Sequence, residues 1–333
     1  MTRESAHTQR IDASRRCRSR GERYAALALG LSLWAMLGSS CPQMMRQYRM
    51  PPVARPLPPA ATFEQVAAVV NDNSARVAKL SSSSAKLSSP QFPTLRASVA
   101  VERPLNFRLI AEKTALTGAE LDLGSNDELF WCWVQRSDPR ALYFCRHDQF
   151  NGSAARQMFP VEPQWLVEAM GLVTFVSTDQ HREPQRVGRG RLRIESTLSR
   201  PEGVRRRVVE VDEGTSIVVA THLYDEAGRL LASALLSDHQ RDEASGAVLP
   251  RQIEIRWPAS RLEFTLALDD VEVNQIQGDP TQLFAKPAYQ GSPEVNLADP
   301  HLVLPAATTS MTGNMPVLTT RVAEPGWKNW FRR

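Results

Sequence analysis

Apolar and polar residues alternate with a period of two along most of the chain between Leu95 and Gln277. This alternation is typical of strands in a sheet that buries one face. Glycine, proline, aspartate and asparagine interrupt the pattern, so about eleven short strands follow one another through mostly tight turns. They predict a mainly β protein with a single large antiparallel sheet that curls. The predicted strands are residues 98–101, 106–112, 120–123, 129–135, 142–147, 189–197, 205–211, 216–224, 230–238, 251–257 and 261–274.

Two segments show helical spacing instead. Thr62 and Gln65 have the spacing of a capping box, and apolar residues then recur at helical intervals, so residues 63–80 are predicted to form an amphipathic helix. Pro163 and Gly171 flank a run of good helix formers, which predicts a short helix inserted between strands. Residues 81–93 are rich in serine and proline and are interpreted as a loop.

The N-terminal segment has the pattern of an export signal. Seven arginines lie in residues 1–23, residues 24–40 carry no charge, and Cys41 follows. The apolar stretch from Tyr24 to Leu37 is shorter than the roughly 20 residues that span a bilayer. Residues 1–40 are therefore interpreted as a signal peptide, and the proline-rich residues 41–62 as an extended tether.

The end of this segment, Leu37-Gly38-Ser39-Ser40-Cys41, resembles the lipobox of bacterial lipoproteins. Gly38 departs from the family pattern, in which leucine is usual at that position. The resemblance implies that Cys41 is acylated and becomes the new N-terminus, so that a lipid anchors the protein to a membrane. The alternatives are an uncleaved N-terminal anchor, or a signal peptide after which Cys41 is incidental.

Charge argues against nucleic acid as a partner. The chain has 333 residues, a net charge of +4 and a pI near 9.0. Residues 1–23 contain these seven arginines and only three acidic residues, so the excess positive charge belongs to the signal segment. The remaining residues are neutral overall, and a protein that binds nucleic acid needs a basic surface.

The sequence shows no catalytic or metal-binding motif. It contains no phosphate-binding loop, nucleophile elbow, His-Glu-x-x-His or Cys-x-x-Cys, and no two of its histidines have metal-ligand spacing. We therefore expect a non-enzymatic protein with no cofactor and no metal. An enzyme that acts on envelope polymers would need convergent carboxylates or a nucleophile–base pair from distant parts of the chain.

Cys132 and Cys145 lie on consecutive predicted strands. If Ser137 and Arg140 face each other across the hairpin, the antiparallel register also places Cys132 opposite Cys145, close enough for a disulfide. Pro139 rules out the usual two-residue turn, which leaves the register open. The alternative is two buried thiols. The C-terminal residues 289–333 are proline-rich and are expected to form an irregular tail.

The order of elements resembles the LolA/LolB-like lipoprotein carriers and receptors. Pro104, Phe107 and Arg108 are similar to the family's Pro-x-x-Phe-Arg strand. The other segments that carry the resemblance are residues 123–131, 224–228 and 271–274, followed by Phe284 and Pro287. It covers residues 63–288. It implies an open half-barrel, closed over an apolar cavity by an N-terminal helix and a short inserted helix.

The resemblance also implies a function. Proteins of this family bind acyl chains of lipids or lipoproteins without catalysis, which implies a lipid-anchored binding protein in the cell envelope, at the outer membrane and facing the periplasm. The apolar residues on the inside of the half-barrel could either line a cavity or fill a packed core. The alternative function is that of a scaffolding lipoprotein with protein partners. No feature of the sequence indicates an oligomeric state. The candidate cavity residues are Phe107, Leu109, Leu121, Leu123, Phe130, Trp131, Trp133, Leu142, Phe144, Trp165, Leu166 and Met170.

Overall fold

The structure is a computed structural model that describes residues 56–114, 118–159, 161–188, 190–200 and 203–302. The predicted signal peptide, Cys41 and the tether up to residue 55 lie outside the described residues, as do residues 303–333 of the predicted tail. In the described part, no helix is long and apolar enough to cross a membrane.

One open sheet dominates the described residues and confirms the predicted fold class. Its sixteen strands are antiparallel except where β16 runs parallel to β6, and most of the sheet follows the order β16-β6-β5-β4-β3-β2-β1-β14-β13-β12-β11-β10-β9-β7. The two remaining strands pair at the side, β15 with β1 and β8 with β9. The strands are β1 Lys79–Ser89, β2 Phe92–Glu102, β3 Asn106–Glu112, β4 Ala119–Ser125, β5 Leu129–Val134, β6 Leu142–Arg146, β7 Gln180–His181, β8 Gln185–Val187, β9 Arg191–Arg200, β10 Gly203–Asp212, β11 Val218–Tyr224, β12 Leu230–Arg241, β13 Val248–Trp257, β14 Leu262–Leu268, β15 Glu272–Val273 and β16 Glu294–Asn296.

The helices are short apart from the first. Helix α1, Phe63–Ala75, begins with the expected capping box, in which Thr62 accepts from the backbone N–H of Gln65 and Gln65 accepts from that of Thr62. The other helices are α2 Ala155–Met158, α3 Gln164–Ala169 and α4 Pro280–Leu283, with 3-10 turns at His147–Gly152 and Pro258–Ser260. Helix α3 is the predicted inserted helix.

The structure corrects two predictions near the N-terminus of the sheet. Helix α1 ends at Ala75, and the buried Leu80 belongs to β1 instead of the helix. The predicted loop of residues 81–93 is wrong, because most of it forms β1 and the start of β2. Serine has a low strand propensity, but Leu80, Ser82, Ala85 and Leu87 are all buried, with a register shift between Ser82 and Ala85. Pairing with β2 and β14 on either side outweighs the propensity.

One face of the sheet, here called the inner face, packs around α1 and residues 161–175. Val66 and Val70 of α1 share a single core with apolar side chains from β2, β3 and β9 to β14. The Ser74 hydroxyl donates to the Val173 carbonyl at 2.6 Å, and the Arg103 guanidinium donates to the Ser74 carbonyl at 2.7 Å. These bonds fix the end of α1 over the sheet.

Candidate functional site: an apolar cavity on the inner face

A cavity lies on the inner face between the sheet and α3. The centre of a water molecule can occupy about 80 Å³ of it, several times the space of about 10–15 Å³ that one water requires. Every lining side chain is apolar or a thiol. The lining residues are Leu87, Phe92, Phe107, Leu109, Leu121, Leu123, Cys132, Val134, Phe159, Leu166, Met170, Ile253, Ile255, Trp257, Leu262, Phe264 and Leu266.

Strand alternation builds most of this wall. In β3, Phe107 and Leu109 point inward two residues apart, and in β4 Leu121 and Leu123 do the same. The register pairs Leu109 with Leu123, so the two strands present a continuous apolar surface. Strands β13 and β14 supply the facing wall through a second set of alternating residues.

The remaining wall comes from residues that are not part of the sheet. Leu166 lies on α3 and Met170 directly follows it, and Phe159 precedes the helix. Glu168, also on α3, is linked to β10 by an ion pair with Arg207 at 3.0 Å. A short helix that is ion-paired to β10 and has most of its side chains buried therefore forms this side of the cavity.

The cavity offers no group for acid–base or metal chemistry. Among its lining residues only Cys132 titrates, and burial, followed by the nearby Asp122 charge, raises the pKa of this thiol to about 12. The thiol therefore stays protonated at physiological pH and is a poor nucleophile. In the part of the chain that the structure describes, no group of histidine, cysteine and acidic residues could hold a metal ion.

The structure divides the twelve candidate cavity residues into four groups. Six line the cavity: Phe107, Leu109, Leu121, Leu123, Leu166 and Met170. Phe130 and Trp131 border a smaller adjoining space, where a water centre can occupy about 20 Å³, and Trp165 is buried in the main core. The indole of Trp131 packs in another cluster, which contains the three remaining candidates, Trp133, Leu142 and Phe144.

That cluster lies on the opposite face of the sheet, which corrects its interpretation as cavity lining. Trp131 and Trp133 share a face, as their spacing predicted, but Phe130, Cys132 and Val134 are the residues of β5 that point inward. The Trp131 indole covers Gly124 so closely that a Cβ there would stand 2.1 Å from its ring. Because Gly124 has no side chain, the indole lies flat against β4.

Asp122 is the polar centre of this outer face. Its carboxylate is fully buried and forms an ion pair with Arg108 at 2.8 Å. It also accepts hydrogen bonds from Trp131 Nε1 at 3.1 Å and from the Tyr289 hydroxyl at 2.6 Å. Burial and the Asp122 carboxylate raise the pKa of Tyr289, which keeps the phenol protonated as a donor.

Residues 283–292, here called the strap, cover the outer face. Arg108 donates to the Leu283 carbonyl at 2.7 Å, and Trp133 Nε1 donates to the Ser292 hydroxyl at 3.0 Å. The Tyr289 ring stacks on Trp133 with ring centroids 3.8 Å apart. Part of the predicted irregular tail therefore has a defined position, and β16 follows it along β6.

The register between β5 and β6 corrects the predicted cysteine pair. Cys132 is opposite Tyr143, and Cys145 is opposite Phe130, so the two cysteines are diagonal neighbours. Diagonal Cα atoms lie about 7–8 Å apart, beyond the usual range of a disulfide. Both thiols are free and buried. The unusual turn at Pro139 shifts the register by two residues from the assumed pairing of Ser137 with Arg140.

The wall formed by β13 and β14 is not among the predicted cavity residues. Ile253, Ile255 and Trp257 alternate along β13, and Phe264 and Leu266 face them from β14. Their period of two marks a shared face, but only the three-dimensional curl of the sheet brings that face opposite β3 and β4. Cys132 and Val134 were not predicted as lining residues, because the larger tryptophans lie on the opposite face of β5 and both faces are apolar.

No protein-family model and no curated protein matches the chain. Among solved structures, the chain is similar to a domain from Vibrio parahaemolyticus ascribed to outer membrane lipoprotein sorting, with a TM-score of 0.46, 10% identity and coverage of 66% of this chain and 97% of that one. A LolA superfamily protein from Nitrosomonas europaea gives a TM-score of 0.42 and 11% identity, again over 66% of this chain and 97% of its own. The chain thus has a structural similarity, at low identity, to LolA superfamily proteins.

Proposed function

We propose that this protein binds the acyl chains of lipids or lipoproteins in the apolar cavity of its sheet, without catalysis. The observation that carries the proposal is the cavity itself, which is lined by apolar side chains and one protonated thiol. A packed scaffold would fill such a space, because unfilled apolar volume costs stability.

An alkyl chain fits the chemistry of the cavity. It needs no hydrogen-bond partner, and its burial contributes about 25 cal/mol per Å² before the costs of association. A long chain needs more room than the cavity offers with α3 in place. We propose that α3 moves outward with Leu166 and Met170 when a ligand enters, since this part of the wall lies outside the hydrogen-bonded strands.

We further propose that a lipid anchors the protein to the outer membrane. In this proposal, Cys41 is acylated after cleavage of residues 1–40, and residues 41–62 hold the sheet at a distance from the outer membrane, on its periplasmic side. The ligand would then be a membrane lipid or an acylated protein delivered to that membrane.

Native mass spectrometry of the full-length protein, extracted from cells in mild detergent, tests both parts at once. We expect a mass that corresponds to acylated Cys41 and additional bound species that release fatty acyl chains. An unmodified N-terminus would reject the acylation of Cys41 but would leave the proposed binding function standing. A protein free of lipid that also takes up no fluorescent fatty acid would reject the binding function.

A cavity-filling variant locates the binding. Leu109→Trp adds an indole inside the cavity, and we expect at least a tenfold loss of fatty-acid affinity because the ligand and the indole compete for the same space. Leu235→Trp makes the same change on an exposed position of β12 and should leave affinity unchanged. Equal affinity in both variants would place the ligand elsewhere.

A further inference from the structure

A second cavity opens near the C-terminal end of α1, and the proposed acyl site does not use it. It lies between α1, residues 215–218 and the hairpin that joins β12 to β13. The centre of a water molecule can occupy about 90 Å³ of it. It shares no lining residue with the apolar cavity.

Basic side chains line this second cavity. Arg76, His239 and Arg241 belong to its wall, and no aspartate or glutamate does. Two acidic residues of the surrounding turns are held in those turns: Asp212 accepts from Thr215, and Asp242 accepts from Ser245. The charges of Asp238 and Asp212 also act on His239. The two guanidinium groups are therefore the charged groups of the wall itself, because burial lowers the pKa of His239 and keeps its ring neutral at physiological pH.

Arg241 is the unbalanced group. Arg76 forms an ion pair with Asp72 at 2.7 Å, whereas the guanidinium of Arg241 makes no hydrogen bond or ion pair with any residue that the structure describes. Arg241 is half-buried. A guanidinium carries five donors, and leaving them without partners in a partly buried place is costly.

Gly246 brings the two arginines together. A Cβ at this position would stand 2.9 Å from Arg76 Nη1 and 3.6 Å from Arg241 Nη2. Both guanidinium groups thus border the space that a side chain at position 246 would occupy. Arg76 already pairs with Asp72 and donates to the Ser245 carbonyl. An anion beside Gly246 would supply Arg241 with an acceptor and would add a second one to Arg76.

The rest of the wall is apolar and held in place. Val69 and Val70 of α1 face Val218, Val248 and Pro250 across the cavity. The Asn73 side chain fixes the hairpin against α1 through two bonds with Val248, to its carbonyl at 2.9 Å and from its N–H at 2.7 Å. The cavity therefore combines a cationic end with an apolar body of fixed shape.

We infer that this second cavity binds an oxyanion, a phosphate or carboxylate group, that is carried on a short apolar body. Arg241 and Arg76 donate to the oxyanion beside Gly246, and the valines and Pro250 contact the apolar part. Arg241 is the residue on which binding depends most, because its guanidinium has no partner among the described residues before the ligand arrives.

Calorimetry on the full-length protein with hexyl phosphate, inorganic phosphate and hexanol tests this inference. We expect hexyl phosphate to bind more tightly than either fragment. Arg241→Gln should weaken it about tenfold or more, because a hydrogen bond to a charged group is lost. Arg96→Gln removes the same charge from an exposed position of β2 and should bind as the wild type does. Equal affinity in the two variants overturns the inference.

Two further measurements identify the site and the source of the ligand. Leu109→Trp, which blocks the apolar cavity, should leave hexyl phosphate binding intact, and its loss in this variant would place the ligand in the apolar cavity and overturn the inference. Vesicles of phosphatidylglycerol in phosphatidylcholine then separate the sources. Arg241-dependent binding to these vesicles indicates a lipid headgroup, and binding of hexyl phosphate alone indicates a soluble oxyanion.

Discussion

Strands β3 to β5 bury both of their faces, but in different ways. On the inner face, Leu109 and Leu123 border a space that the protein leaves unfilled. On the outer face, one residue away along β4, the buried Asp122 is bonded to Arg108, Trp131 and Tyr289 under the strap. The same three strands thus carry an under-packed apolar surface and a fully satisfied polar cluster.

The difference separates a structural face from a candidate binding face. A buried carboxylate needs partners in defined positions, so the outer face specifies one arrangement of the strap. Contacts with an apolar wall are not directional, so the inner face can pack against apolar groups of different shapes. The two faces should therefore respond differently to substitution, to pH and to ligand.

The largest effect is expected from Asp122→Ala. The change leaves the Arg108 guanidinium, 13% exposed, without its carboxylate, and breaking one side of a buried pair costs about 3–5 kcal/mol. Urea unfolding measures this loss of the free energy of unfolding. Asp225→Ala removes a carboxylate from a pair whose arginine is 81% exposed, so it should cost at most about 1 kcal/mol. Similar losses in the two variants would show that the outer cluster is not a cooperative unit.

Truncating one leucine on each face compares the packing directly. Leu142 is completely buried in a cluster with Trp131 and Trp133, and we expect Leu142→Ala to cost about 4 kcal/mol. Leu109 borders existing empty space, so Leu109→Ala should cost nearer about 2 kcal/mol. Urea unfolding of both variants provides the test. An equal cost would mean that the cavity wall is as tightly packed as the outer face.

The period of two along the chain was enough to predict most of the sheet, because strands such as β3 and β9 alternate strictly. The residues of β3 from Asn106 to Glu112 alternate between buried and half-buried positions in the structure, within the predicted bounds. Strand β1 was not predictable in the same way. Its four consecutive serines hide the alternation, and only pairing with β2 and β14 makes the segment a strand.

The candidate site was only half predictable for a related reason. Alternation shows which residues share a face, but it does not show which face is the inner one. In β5 both faces are apolar, so Trp131 and Trp133 were as good candidates as Cys132 and Val134. The deciding information is the strap, which covers the tryptophans from a distance of more than 140 residues along the chain.

Alkaline pH should weaken the inner face through Cys132. The unfolded thiol ionises near its ordinary pKa of 9.0, whereas burial keeps the folded thiol protonated up to about 12. The stabilisation is therefore complete below pH 9 and is lost as pH rises above it, by about 1.4 kcal/mol for each pH unit. Between pH 8 and pH 10, urea unfolding should show a smaller loss of the free energy of unfolding in Cys132→Ala than in the wild type. An equal loss of the free energy of unfolding in the wild type and in Cys132→Ala would mean that water reaches the thiol in the folded protein.

The smallest effect is expected where the strap ends. Ser292→Ala removes the acceptor of the Trp133 Nε1–H, at the edge of the outer cluster, and should cost about 1 kcal/mol or less. Ser237→Ala, on an exposed position of β12, is the matched control and should cost almost nothing. Hydrogen exchange gives the sharper readout: amides of residues 283–292 should exchange faster in Ser292→Ala, while those around Leu109 and Leu123 should not. Faster exchange at both faces would show that the strap also holds the cavity closed, and the two faces of β4 would then be one functional unit instead of two.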